Sequence, residues 1–261
     1  MIVLKYRVTS LMVFLFLTLS CKGISIDIVP ERVKIDLSKI SEDSLLVLCR
    51  TSANLGKTIG VFGGSYSIIE GSEIVKDCWR SYLDADVKDY GVSGYGFSCE
   101  QGSIQNEVNY CDTKDIYVLW ASTNDFNNNR LAGEPTDYSM KDSFNEKKRS
   151  TQCGGINYCI KSLREKNPTC LIVMISSSCF FQTEKGFDMS KTNDAGESLR
   201  HYVEMQKECC RLNKVPFLNL LEMVSFTKDD FGPDLLHYNN QGYSKLIAPT
   251  TLLISRPQWF L

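Results

Sequence analysis

From residue 58 onward two kinds of apolar pattern alternate along the chain. Short continuous apolar runs read as buried strands: TIGVFGG at 58–64, DIYVLWAS at 115–122, CLIVMISSS at 170–178 and VPFLNL at 215–220. Between them apolar residues recur at helical spacing. SEIVKDCWRSYLDA at 72–85 brings Ile74, Val75, Cys78, Trp79 and Leu83 to one side of a helix. GGINYCIKSLREKNP at 154–168 predicts a helix stopped by Asn-Pro, and DAGESLRHYVEMQKECCRLN at 194–213 an amphipathic one. ADVKDYGVSG at 85–94 is a candidate second strand. NQGYSKLIAPTTLLIS at 240–255 closes the pattern as a helix that Pro249 is expected to kink or break.

Strand and helix thus alternate five times, which predicts a parallel sheet covered on both faces. Right-handed crossovers make that a three-layer α/β/α sandwich of about five parallel strands. One domain is expected over 58–261, without internal repeat or linker. Residues 21–57 carry weaker order signals and read as an N-terminal extension, with a short strand or hairpin in SIDIVPERVKIDL at 25–37. The polar stretch 124–150 is long enough to be expected as a lid or rim.

The extreme N-terminus changes the picture of where the chain works. Lys5 and Arg7 precede an apolar run of signal-peptide length that ends at Ser20-Cys21. A small residue before that cysteine resembles a bacterial lipobox. Residues 1–20 are therefore expected to be a signal peptide, with Cys21 the candidate acylation site. The expected location is outside the cytoplasm, as a membrane-anchored lipoprotein at the periplasm or cell surface, or otherwise as a secreted protein. The lipid anchor would be the only membrane contact.

Charge excludes one class of partner. The 29 basic and 31 acidic residues leave a net charge of −2, and no basic stripe points to nucleic acid. Of 11 cysteines, setting Cys21 aside leaves an even number, which in an exported chain permits disulfides. The competing reading is buried thiols acting as small hydrophobes. His201 and His237 are the only histidines and neither has ligand-spaced cysteines, so no metal site is expected.

Candidate chemistry gathers where strands end, the usual ligand edge of an open α/β sheet. Ser65 follows the first strong strand directly, after Gly63 and Gly64, with a helix about to begin. That is a good place for a nucleophile, and neither a phosphate-loop pattern nor a G-x-S-x-G elbow is present. A serine hydroxyl needs a base. His201 lies inside a helix and reads as a packing or surface residue. His237 lies in the loop GPDLLHYNNQGY, three residues after Asp234, a spacing that lets the carboxylate orient one imidazole nitrogen while the other meets Ser65. Asn124 and Gly94 follow two further strands and could donate hydrogen bonds to an oxyanion.

Four short blocks then stand in order: GGSYS at 63–67, VSGYG at 92–96, STND at 122–125 and DLLH at 234–237. Together they resemble the signature blocks of the SGNH (GDSL-type) hydrolases. The resemblance implies a flavodoxin-like sandwich and no cofactor. It implies Ser65 as nucleophile, His237 and Asp234 as base and its partner, and Ser65, Gly94 and Asn124 as the oxyanion hole. Two positions depart from the pattern. Gly64 stands where the family has aspartate, and Ser122 where it has glycine.

The expected activity is a serine esterase removing O-acyl groups, acetyl above all, from a small or glycan ester. Two alternatives stay open: a catalytically quiet glycan-binding protein, which Gly64 and Ser122 would favour, and an O-acyltransferase.

Overall fold

The computed structural model describes residues 40–98, 102–138, 146–180 and 190–261. The expected signal peptide, Cys21 and the strand or hairpin at 25–37 lie outside the described residues.

Five strands form one parallel sheet. They are β1 (Thr58–Gly63), β2 (Asp86–Asp89), β3 (Ile116–Trp120), β4 (Leu171–Ile175) and β5 (Phe217–Leu218), in the order β2-β1-β3-β4-β5. The helices, in chain order, are α1 (Glu42–Arg50), α2 (Ser65–Ile68), α3 (Glu73–Leu83), α4 (Ile104–Tyr110), α5 (Asn124–Asn127), α6 (Glu146–Arg149), α7 (Gln152–Lys166), α8 (Leu199–Asn213), α9 (Leu220–Met223), α10 (Asn240–Ser244) and α11 (Ile247–Ser255). Alternate strand residues feed two separate cores. Ile59, Val61, Val118 and Trp120 pack with α1, α3 and α11 on one face. Phe62, Tyr117, Leu119 and Met174 pack with α4, α7 and α8 on the other. The expected three-layer sandwich of five parallel strands is the fold found.

Several local details differ from the sequence pattern. The packed body starts before residue 58, because α1 buries Leu45 and Cys49 in the first core. Its start signal is nevertheless clear: the Ser41 hydroxyl caps the Ser44 N–H at 3.2 Å, and Glu42 and Asp43 follow at the positive end of the helix. Helix α4 carries its core contacts on Ile104 and Val108 alone, too few apolar positions to announce a helix. At the C-terminus the break falls at Lys245-Leu246, between α10 and α11, and Pro249 sits inside the first turn of α11. Proline cannot donate to the carbonyl four residues back but is tolerated in a first turn, where the N–H groups have no helical partner.

Among the described residues all nine cysteines are free thiols, and Cys49, Cys153, Cys159, Cys209 and Cys210 are fully buried. They act as small hydrophobes in the two cores. No helix among the described residues is long and apolar enough to cross a membrane.

The strand order creates the crevice. From β1 the chain goes to the edge strand β2 and then returns across β1 to β3. The connections after β1 and β3 therefore leave in opposite directions and open a gap at their carboxyl ends. Helix α7 comes close to this edge through Gly155, whose added Cβ would run into the Phe97 carbonyl. In an open helix, Gly→Ala adds up to about 1 kcal/mol of stability. Here we expect Gly155→Ala to lose about 1–3 kcal/mol through overpacking. A urea melt at neutral pH checks the sign.

Candidate active site

Ser65 opens the short helix α2 directly after β1. Its N–H, like that of Gly94, meets no acceptor among the described residues. Ser67 turns its N–H back to the Gly64 carbonyl at 3.1 Å, which tightens the turn beneath the serine. The buried Lys76 of α3 holds that turn from behind. Its ammonium reaches the Ser67 carbonyl at 2.8 Å, Asp89 at 2.7 Å and Glu73 at 2.5 Å, so each of its three N–H groups has an acceptor. Asp89 in turn accepts from the Gly91 N–H at 2.7 Å, which ties the turn carrying Ser65 to the start of the loop carrying Gly94.

His237 and Asp234 arrive from the loop before α10. The Ser65 hydroxyl lies 2.7 Å from His237 Nε2, and Asp234 Oδ2 lies 2.5 Å from His237 Nδ1. Asp234 Oδ1 also accepts from the backbone N–H groups of Leu236 at 3.1 Å and His237 at 3.0 Å. Partial burial pushes this carboxyl up, but the imidazole and the two N–H groups together outweigh burial and hold it below the ordinary carboxylate range. Asp234 therefore stays a charged acceptor, which favours the Nδ1–H tautomer and turns Nε2 toward the Ser65 hydroxyl as an acceptor.

The histidine loop is built to hold this pose. Leu235 takes the left-handed conformation at φ 56°, which costs an L-residue about 1–2 kcal/mol. Phe231 and Tyr238 close the loop in an antiparallel bridge, and the Gly232 N–H reaches the His237 carbonyl at 2.7 Å. Tyr66, next to the serine, donates its hydroxyl to the Leu236 carbonyl at 3.1 Å and sets its ring edge-on to His237. Asp230 anchors the base of the loop. Its carboxylate accepts from the Thr227 N–H and the Lys245 ammonium, both at 2.6 Å. Burial pushes that carboxyl up, and these bonds with the Lys245 charge overcome it, so its pKa is depressed.

The remaining candidates sit across the crevice. Val92 to Tyr95 make a β-turn closed by the Tyr95 N–H on the Val92 carbonyl at 3.2 Å, with Gly94 at φ 82° in the third position. A type II turn requires a positive φ there, which glycine adopts without a steric penalty. Asn124 starts α5 after β3 and gives one amide N–H to the Tyr95 carbonyl at 2.9 Å. The buried Asp125 beside it accepts from the Phe97 N–H at 2.8 Å and the Ser98 N–H at 3.1 Å. The sequence reading brought together Ser65, Gly94, Asn124, Asp234 and His237, and the fold places all five at one edge. Tyr66, Lys76 and Asp125 also shape the site; Tyr66 and Asp125 stand inside the blocks GGSYS and STND, whereas nothing in the sequence marks Lys76. His201 lies in the first turn of α8, where its backbone N–H donates to the Ser198 hydroxyl at 3.3 Å. A cavity of about 290 Å³ is lined by Cys179, Arg200, Asn219 and Phe226 and by none of these five residues.

The model of the GDSL-like lipase/acylhydrolase family matches residues 63–245. A crystal structure of a protein from Lactobacillus plantarum superposes with a TM-score of 0.63 at 19% identity, over 77% of this chain and 97% of that one. A possible lipase from Chitinophaga pinensis gives 0.62 at 16% identity, over 78% and 99%. The native aryl esterase of M. smegmatis gives 0.50 at 12%, over 78% and 100%. At these identities the likeness is one of fold. A search among curated proteins found no match.

The depressed carboxyls set an acid limit. A folded pKa below the unfolded one stabilises above the unfolded value, about 4 for aspartate, and that contribution is lost as pH falls through the folded value. Urea midpoints measured between pH 7 and pH 2 should show wild type more stable than Asp230→Asn at neutral pH. The gap should close below about pH 4. A constant gap would show that Asp230 does not act through its charge.

Proposed function

This chain belongs to the GDSL-like lipase/acylhydrolase family, and from that premise we propose that it is a serine esterase working through Ser65, His237 and Asp234. The observation that carries the reading is the unbroken hydrogen-bonded line from Ser65 Oγ through the imidazole to Asp234, at 2.7 Å and 2.5 Å. Ser65 Oγ attacks the acyl carbon while its proton passes to His237 Nε2. Asp234 steadies the imidazolium through Nδ1–H. The N–H groups of Ser65 and Gly94 and the free amide N–H of Asn124 take up the oxyanion. His237 then protonates the leaving alcohol, and water activated by the same imidazole frees the acyl group.

We further propose that the acyl group is acetyl and that the alcohol belongs to a carbohydrate. The rim beside Asn124 supports a polar substrate, because Asn127, Asn128 and Asn129 are all exposed. So does the expected export, since an esterase anchored outside the cytoplasm works among envelope glycans.

A chromogenic acetyl ester should be turned over by the full-length protein and not by Ser65→Ala or His237→Ala, with His201→Ala close to wild type. Equal rates in wild type and Ser65→Ala would end the esterase reading. Asn124→Ala should lower kcat by about 10²–10³, the usual cost of one oxyanion donor. Acetate release from an O-acetylated glycan, compared with hydrolysis of a long-chain acyl ester, tests the substrate class.

A further inference from the structure

The two positions that depart from the family pattern, Gly64 and Ser122, occupy the same small space. A Cβ added at Gly64 would stand 2.8 Å from Asn124 Nδ2, 2.8 Å from the Tyr95 carbonyl oxygen and 3.1 Å from Ser122 Cβ. Those three groups are held to one another. The buried Ser122 hydroxyl donates to the Tyr95 carbonyl at 3.0 Å and accepts from the Asn124 backbone N–H at 3.2 Å. The Asn124 amide donates to the same carbonyl at 2.9 Å. The loops carrying two oxyanion donors, Gly94 and Asn124, thus meet at the Tyr95 carbonyl, which Asn124 reaches both through its own amide and through Ser122.

Ser122 is itself fixed from behind. Its carbonyl accepts from the Ser177 hydroxyl at 2.6 Å, after β4. Gln206 of α8 donates to that hydroxyl at 2.9 Å, accepts from the Ser177 N–H at 3.0 Å and donates to Gln152 of α7 at 2.9 Å. All four residues are buried, and the network joins the helix layer to the oxyanion loops through a fixed chain of bonds.

We infer that Ser122 is a positioning residue for the oxyanion hole, and that Gly64 is required because the Ser122–Tyr95–Asn124 cluster fills the space a side chain at 64 would need. With one amide hydrogen committed to the Tyr95 carbonyl, the Asn124 side chain cannot flip, and its second hydrogen is free for the substrate. The bulk that the family pattern places at 64 has moved to 122. The exchange keeps a polar brace on the same loops and leaves every reacting group in place. It argues against reading the two departures as the marks of a quiet protein. The inference rests on the proposed esterase mechanism for its catalytic meaning, but the hydrogen-bond cluster can be read without turnover.

The test is a cycle of Ser122→Gly, Gly64→Ala and their double variant, with Ser122→Ala beside it, all in the full-length protein. Turnover of the acetyl ester is measured together with the side-chain amide resonances of Asn124, assigned by their loss in Asn124→Asp. Ser122→Ala should lower kcat about tenfold, the order of one net hydrogen bond, with KM unchanged. The Asn124 amide signals should shift and exchange faster. Gly64→Ala should shift the same signals, and the double variant should lose less than the product of the single effects, as residues sharing one space do. Unmoved Asn124 signals in Ser122→Ala would overturn the inference, as would multiplicative losses across the cycle. A wild type without esterase activity would remove the function proposed above, and the amide signals would still decide whether Ser122 holds Asn124.

Discussion

The hydrogen bond between Ser65 and His237 joins side chains 172 positions apart, at 2.7 Å. Neither group can do much alone: a serine hydroxyl is a poor nucleophile without a base, and the imidazole needs a proton donor within reach. Holding them in reach demands two rigid approaches. On one side β1 runs buried to its end and stops at a short helical turn clamped by the Lys76 ammonium. On the other, a loop closed by the Phe231–Tyr238 bridge and anchored on Asp230 accepts a left-handed leucine to bring Asp234 and His237 together. The strain at Leu235 is small beside the contacts that fix the loop ends, so the pose persists.

The same economy governs the opposite wall of the crevice. The proposed donors there, Gly94 and Asn124, come from a turn after β2 and a short helix after β3, which are far apart along the chain. Their relative position is set by hydrogen bonds converging on the Tyr95 carbonyl and by the Asp125 carboxylate accepting from the Phe97 and Ser98 backbone. Buried polar groups of this sort are costly when unpaired, and here each named bond both satisfies a group and orients a donor. An active site assembled from loops gains its stiffness in this way, since the sheet beneath supplies only the starting points.

Strand order decides where those starting points lie. With β2 at the edge beside β1 and the other strands added on the β3 side, the connections after β1 and β3 diverge, and Ser65 and Asn124 emerge on either side of the gap. The likeness in fold to the structures from Lactobacillus plantarum and Chitinophaga pinensis follows from this framework at identities of 19% and 16%. At that distance the framework is shared, and the brace at Ser122 is a matter of individual side chains.

Much of this was legible in the chain itself. The strands announced themselves because a strand buried on both faces must be a short apolar run, and the main helices because one face must be apolar every three or four residues. The five candidate site residues stood out because strand ends, a lone loop histidine and an aspartate three residues before it are local features. Helices α1 and α4 were not legible, since each buries only two or three side chains, nor was the true break before Pro249. Tertiary structure alone decided the strand order, the burial of Lys76, the left-handed Leu235 and the shared space of Gly64 and Ser122. Each of these depends on which distant atoms become neighbours, and local sequence pattern records what a residue prefers but not what it will touch.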